Sequence, residues 1–582
     1  MSTTGATARI AQAAPRNAVG LRATSESRLA GVAPSTNRLA AVLQVVAALT
    51  WIPQAGLIAY AIGNIAEGVG ADAALLPALG ILLLGVSRTL LDRAGTRLVF
   101  DAARIKLGVL RRHAALAIAG QSPMDASRLP SGQVASALAE QAEAVVPWLA
   151  RYRPLRIKAA AVPLVILATV LSLSWAAAIV LLVAAPLIPI FMALVGWRAK
   201  EASERQLVRI GDMNAFLLDR LRGLATIRAL GAVNRTALRL RDDANALGRS
   251  TMEVLRIAFL SSAILELFAA LGVAMVAVYV GFHLLGELNF GAWAGTLSLA
   301  EGLFILLLAP AFFEPLRDLS SVWHDRAAGE AGLAALERLA RVTQPIVGGL
   351  EDVGTKAHRP DDALSVAIEE LVFRYQGSAE PVFTGFNLAV QPGEHLAIMA
   401  PSGCGKSTLL ALLAGLAPSA AGAIRLGGEP LNGATAARLR TRIAWLGQQP
   451  HVFSGTLAGN VALGRPDIDH RAVYRAMTVA HINGLAQRRG PSLIGENGAG
   501  LSGGETLRLA LARAAAGEGT ALILADEPTA HLDADTAAEV TDRLLEIAAG
   551  RTLIVATHDP VLAARMDRVI TLPGHPNSEA KS

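Results

Sequence analysis

The chain has one cysteine, Cys404, in 582 residues, so no internal disulfide can form and disulfides say nothing of its redox compartment. Charge is scarce as well: Asp, Glu, Lys and Arg make up 17% of the residues and aromatics 4%, against 53% hydrophobic. The scarcity is uneven. Ala159 to Trp197 runs 39 residues without a charged side chain, whereas the second half has the mixed composition of a soluble α/β protein. Three short segments, 63–72, 172–175 and 286–290, contain no Lys or Arg at all. The N-terminus does not read as a cleavable signal, because the apolar run starting at Leu39 far exceeds the roughly 7–15 residues of a signal core. The 38 residues before it are polar, carry Arg9, Arg16, Arg22, Arg28 and Arg38, and read as a disordered tail. The net charge of +6 does not indicate nucleic acid, because the Arg residues crowd the connections between apolar segments.

A helix needs roughly 20 mostly apolar residues to cross about 30 Å of hydrocarbon. Six stretches are candidates: 39–62, 73–91, 159–174, 175–197, 257–285 and 291–316, the third and fourth forming one run long enough for two short spans that turn near Ser172–Trp175. The connections 92–158 and 198–256 are helical in pattern and rich in Arg, including Arg93, Arg97, Arg104, Arg111 and Arg112, then Arg198, Arg205, Arg220 and Arg222. Positive connections stay cytoplasmic, so both termini and both long connections are expected in the cytosol. The expected domains are a cytoplasmic tail (1–38), a transmembrane domain (39–340), a linker (341–365), a nucleotide-binding domain (366–574) and a short tail (575–582).

The second half opens with an alternating strand near residues 367–375. His395-Leu396-Ala397-Ile398-Met399 then delivers the chain into Ala400-Pro401-Ser402-Gly403-Cys404-Gly405-Lys406-Ser407-Thr408. This is a phosphate-binding loop: backbone N–H groups cradle phosphates, Lys406 reaches the terminal ones and Ser407 offers a hydroxyl to Mg²⁺. The helix opening at Lys406 favours an anion at its start. Ala400 stands where a glycine is usual, and its Cβ would strain the turn if the position needs positive φ. Cys404, in a place that needs a small residue, reads as packing rather than as a catalytic thiol. Downstream lie Ile443 to Gln448, then Leu501-Ser502-Gly503-Gly504-Glu505, then Ile523-Leu524-Ala525-Asp526-Glu527, then Ala530-His531-Leu532-Asp533, and a buried-type strand ending at His558.

This ordered set resembles the ATPase of ABC transporters, and six spans with long cytosolic helical connections resemble the exporter type of their membrane domain. Asp219 to Gly231 looks like that type's second intracellular connection. The implied fold is a multidomain membrane protein, a six-helix exporter-type transmembrane domain followed by an α/β P-loop ATPase domain. The resemblance implies that Tyr375 stacks on adenine and that Gln448 touches Mg²⁺ or the attacking water. Asp526 holds Mg²⁺, Glu527 is the general base and His558 contacts the γ-phosphate. Ser502, Gly503 and Gly504 bind the γ-phosphate held by another subunit, so a dimer is implied. Glu505 replaces the family's usual glutamine, a carboxylate near phosphate that calls for a nearby cation; Arg508 and Arg513 follow on the same helix.

The membrane half is similar to one ABC family in particular. Pro186 to Gly196, Thr251 to Ser262 with Ile264 to Phe268, Ala277 to Phe282 through Gly286 to Leu288, and Ala309-Pro310 with Phe312 to Leu319 resemble the CydD-type subunit of the cytochrome bd assembly exporter. That resemblance implies a heterodimer with a CydC-type partner in a bacterial inner membrane. The implied cargo is cysteine and glutathione, exported to the periplasm, with haem as the competing cargo. Ionisable groups inside spans are functional candidates: Glu266 and Glu301 are expected near mid-span, with His283, a potential haem ligand, and Glu314 nearer the ends.

Overall fold

The computed structural model describes residues 34–68, 71–341, 344–349, 363–378, 380–485, 493–495, 498 and 500–572. Residues 1–33 of the tail expected at 1–38, the tail expected at 575–582 and most of the linker lie outside them, whereas residues 34–38 open a helix. The chain divides into two compact units, one of residues 1–115 with 129–341 and one of 116–128 with 342–582.

The first unit is helical. Helices α1 (Pro34–Leu49) and α2 (Trp51–Ala66) are one rod interrupted at Thr50. Pro53 explains the break, because it has no N–H to donate and its ring crowds the carbonyl four residues back, at Leu49. Then come α3 (Leu75–Ala119), α4 (Arg153–Leu171), α5 (Trp175–Arg222), α6 (Val233–Leu284), α7 (Leu299–Ser321) and α8 (Trp323–Ala340). Among the described residues five stretches are long and apolar enough to cross a membrane, and a shorter apolar stretch, Trp175–Leu187, opens α5. Helix α7 lies at the centre, packed on α6, α4 and α2, and carries the largest buried side chains, Phe312 and Phe313. In lipid the gain comes from close packing rather than from leaving water. Small residues therefore mark the tight crossings: a Cβ on Gly272 of α6 would lie 2.5 Å from Phe313 Cζ.

The last span begins later than its composition suggests. Residues 291–298 are a loop, and α7 starts with a capping box in which Ser298 accepts from the Glu301 N–H while the Glu301 carboxylate accepts from the Ser298 N–H. Glu301 therefore sits in the first turn, not at mid-span. The loop closes on the α4–α5 turn: Ser174 Oγ lies 2.8 Å from Gly291 O, and the Tyr279 hydroxyl donates to Phe290 O at 3.0 Å. Gly291 has φ of 99° and no room for a side chain beside Tyr279 and Ala176.

The second unit is an α/β domain with two sheets. An antiparallel sheet in the order β2-β1-β4-β5 contains β1 (Val366–Phe373), β2 (Phe383–Val390), β4 (Ala421–Leu426) and β5 (Glu429–Pro430). A parallel sheet in the order β6-β7-β8-β3-β9 contains β3 (His395–Met399), β6 (Ile443–Leu446), β7 (Leu522–Asp526), β8 (Thr552–Thr557) and β9 (Arg568–Thr571). Strands β7 and β8 are buried at every residue, as expected for parallel strands covered on both faces. Three helices carry the chemistry: α9 (Lys406–Leu413) after β3, α10 (Gly503–Ala515) before β7, and α11 (Ala534–Ala548) before β8.

Residues 116–128, part of the long connection after the second span, belong to this second unit. Ser122 N–H donates to Gln344 O at 2.8 Å, Ile346 N–H to Gly120 O at 3.0 Å, and Met124 packs on the core beside β1 and β3. The stretch they clasp is pinned in turn, because Val347 N–H donates to Gly415 O just past α9, and the Arg440 guanidinium holds the Val347 and Gly349 carbonyls.

Candidate nucleotide site

The register of the parallel sheet brings the motifs together. Met399, the last residue of β3, pairs with Thr557 of β8, and Asp526 of β7 pairs with Ala556. The phosphate loop, the Asp526-Glu527 pair and His558 therefore leave the same edge of the sheet side by side, the edge where open α/β sheets bind ligands. Gln448 follows β6, whose Leu446 pairs with Ala525, and its side chain is exposed.

The loop turns on glycine at two positions, Gly403 (φ 87°) and Gly405 (φ 89°), the second serving as N-cap of α9. Ala400 is not among the positive-φ residues, so the strain expected from its Cβ does not arise, and its methyl is buried in the core. Cys404 is buried in the same core. Lys406 is 7% exposed. Its Nζ donates to Ala400 O at 2.7 Å, lies 3.4 Å from Pro401 O and pairs with Glu527 Oε1 at 3.2 Å. Tyr375, just beyond β1, meets this helix through its hydroxyl, 2.7 Å from Thr408 Oγ1, and stacks edge-on against Phe373.

Glu527 is the site's backbone outlier, a non-glycine residue at φ 49°, a conformation held only where the surroundings fix it. Here they do. Its N–H donates to Ala556 O at 2.8 Å, and Oε2 faces His558 Nδ1 at 2.5 Å. The carboxylate is 8% exposed, whereas the His558 side chain is largely open to solvent. A contact absent from the sequence expectations fastens the two loops: Thr529 Oγ1 donates to Asp559 Oδ2 at 2.9 Å. Asp559-Pro560, a helix-start pair, was the available signal.

Asp526 is 5% exposed. Burial pushes its carboxyl above the usual carboxylate range; the Ser407 hydroxyl pulls it back, the Glu527 charge raises it again and the Lys406 ammonium lowers it. Its Oδ1 is buried without a donor. A buried carboxylate oxygen with nothing to accept from is costly, and a hard divalent cation is the partner that an oxygen-only set of Asp526 and Ser407 suits. The residues present thus fit Mg²⁺.

The signature sequence is a helix start. Ser502 is N-cap of α10, accepting from Glu505 N–H at 3.2 Å, while Ser502 N–H donates to Glu505 Oε2 at 2.9 Å. Glu505 thus completes a capping box, a role beyond the nearby cation expected for it. Arg508 Nη1 donates to Glu539 Oε2 at 3.1 Å, and Arg513 donates to Asn460 O, Asn460 Oδ1 and His451 O. That last cluster, missed in the sequence, ties the signature helix to the segment that follows Gln448. Gly504 lies against α11, where a Cβ would come within 3.1 Å of Thr536.

The family profile described as ABC transporter transmembrane region matches residues 38–307, and the profile described as ABC transporter matches 383–530. The CydD glutathione/L-cysteine transport system ATP-binding/permease protein of Escherichia coli K12 is 34% identical over 523 residues, covering 89% of this chain and 87% of that protein. The chain belongs to the CydD family of ABC transporters. The transport ATP-binding protein AarD of Providencia stuartii is 33% identical over 525 residues, 90% of this chain and 88% of that one. A solved bacterial Atm1-family ABC exporter with ATP bound has the same fold, with a TM-score of 0.75 over 92% of this chain and 93% of its own, at 23% identity. As a member of this family the chain is an ATP-binding, ATP-hydrolysing transporter subunit with a membrane-spanning domain.

Proposed function

We propose that this chain is one half of an ATP-driven exporter of cysteine or glutathione, working as a heterodimer with a CydC-type half-transporter in a bacterial inner membrane. What carries the reading is the convergence of Lys406, Asp526, Glu527 and His558 at one sheet edge, in a chain related over most of its length to a glutathione/L-cysteine transport protein. The positive connections keep both termini and the ATPase domain cytosolic, with the short turns facing the periplasm.

Each site residue then has a task. The loop from Ala400 to Gly405 lays its N–H groups around the phosphates, and Tyr375 stacks on adenine. Lys406 spends one N–H on Ala400 O and one on Glu527, and its long contact to Pro401 O is the one a phosphate oxygen replaces. Ser407, Asp526 and Gln448 would hold Mg²⁺, which would supply charge neutralisation at the transferred phosphoryl group. Glu527, kept in place by Lys406 and His558, accepts the proton of the attacking water. Ser502, Gly503 and Gly504 of the partner's α10 close the site through the free N–H groups of a helix start.

A purely regulatory, ATP-binding role would rest on Ala400 and Glu505, and both are accommodated without strain. Haem is the competing cargo, but no observation favours it: buried His283 already uses Nε2 to accept from Leu297 N–H at 3.1 Å. The test is ATPase activity of the co-purified pair titrated with glutathione, cysteine and haem. Stimulation by the thiols is expected; stimulation by haem alone overturns the cargo.

A further inference from the structure

Glu266 of α6 and Arg317 of α7 form an ion pair across two spans, Oε1 to Nη1 at 3.0 Å, with side chains 71% and 39% exposed. Eighteen residues separate Glu266 from the end of α6 and eighteen separate Arg317 from the start of α7. At 1.5 Å per residue the pair lies about 27 Å from the short-turn end, and so near the cytosolic boundary of a core about 30 Å thick. Glu266 is therefore not at mid-span. Glu314 lies one turn before Arg317 on the same face of α7 and is exposed, as is Pro310 one turn earlier. Asp318, next along α7, is within electrostatic reach of Glu314, of Arg317 and of the opposite charge Lys158, which offsets it.

At the cytosolic boundary an exposed ion pair is open to water and meets whatever enters between the spans from the cytosol. Glu266 pairs with the guanidinium and Glu314 stands exposed one turn away, so the three side chains carry one negative charge in excess. The complement of that pattern carries both a carboxylate and an ammonium. Small exposed residues, Ala263 and Ala270, flank Glu266 by one turn on either side and leave room beside it.

We infer that Glu266, Glu314 and Arg317 form the entry site for a zwitterion, an α-amino acid or small peptide, whose carboxylate takes the guanidinium and whose ammonium takes the two glutamates. This rests on the thiol-export reading and names the feature of the cargo that is recognised. A porphyrin bearing only propionates presents negative charge to both glutamates and is disfavoured here.

The test compares ATP-driven uptake of cysteine and of N-acetylcysteine, which keeps the thiol and carboxylate but lacks the ammonium, into proteoliposomes of the purified pair. The ratio is read within one protein, so differences in yield or folding cancel. The wild type should prefer cysteine by about tenfold, equivalent to about 1.4 kcal/mol, and Glu314→Gln and Glu266→Gln should each bring the ratio towards one. Equal uptake of both thiols by the wild type overturns the entry site while leaving thiol export standing. A preference that survives both substitutions also overturns it. Uptake of neither thiol, with ATPase intact, overturns the export reading and the entry site with it.

Discussion

Replacing Glu505 separates two accounts of the signature helix. In the structure its carboxylate accepts the Ser502 N–H at 2.9 Å, and Ser502 in turn caps the helix. Glutamine also presents a side-chain oxygen there, and it completes capping boxes as glutamate does; alanine leaves the N–H unpaired. Losing one capping partner costs about 0.5–2 kcal/mol. Taking about 1 kcal/mol, the first turn of α10 opens roughly five times more readily. That turn would present its N–H groups to the partner's γ-phosphate, so the loss should appear as weaker ATP saturation. ATPase activity of the pair against ATP concentration should give wild-type behaviour for Glu505→Gln and a half-saturating ATP raised about fivefold for Glu505→Ala. If Gln is impaired as much as Ala, the charge matters rather than the cap, and the reasoning is refuted.

Three further outcomes follow from the geometry. Glu527→Gln should lower turnover about 10²–10⁴-fold, the usual worth of a positioned general base, with ATP binding retained in a fluorescent-nucleotide assay; unchanged turnover would move catalysis to the other composite site. Burial holds the Asp526 carboxyl above the usual range. A carboxyl raised on folding stabilises most below its ordinary range and loses that contribution as pH rises through the raised value. Nucleotide-free protein should therefore lose stability over that interval as pH rises. Asp526→Asn should remove the loss, gain about 1–3 kcal/mol at neutral pH and abolish the rise in Tm with Mg-ATP, all read in thermal melts. Gly272→Ala drives a methyl into Phe313 and should cost about 1–3 kcal/mol, recovered in part by Phe313→Leu in the same chain; a Tm unchanged by Gly272→Ala alone would contradict the packing described for α6 and α7.

The grouping of the ATPase motifs was largely legible because they follow strand ends, which a parallel sheet lines up along one edge: β3 before Ala400, β7 ending at Asp526, β8 before His558. The capping role of Glu505 was legible but unused, since Ser-x-x-Glu ahead of an apolar run is a capping box in the sequence itself. The same pattern, Ser298 and Glu301, marks the start of α7, but apolar Phe290, Ala292, Trp293 and Leu297 made the preceding loop look like membrane span. Residues 116–128 carry no such signal. Their place beside 344–346 is set by tertiary hydrogen bonds between segments more than two hundred residues apart, which no local pattern encodes. Glu266 and Arg317 needed the same kind of knowledge, because each taken alone is only a charge near a span end.

The most direct test of the central claim is accumulation of labelled glutathione and cysteine inside proteoliposomes that hold the chain and its CydC-type partner, with ATP supplied outside. ATP-dependent accumulation, absent when Glu527→Gln is introduced, is the predicted result. Vigorous ATP hydrolysis with no accumulation of either thiol would contradict the account.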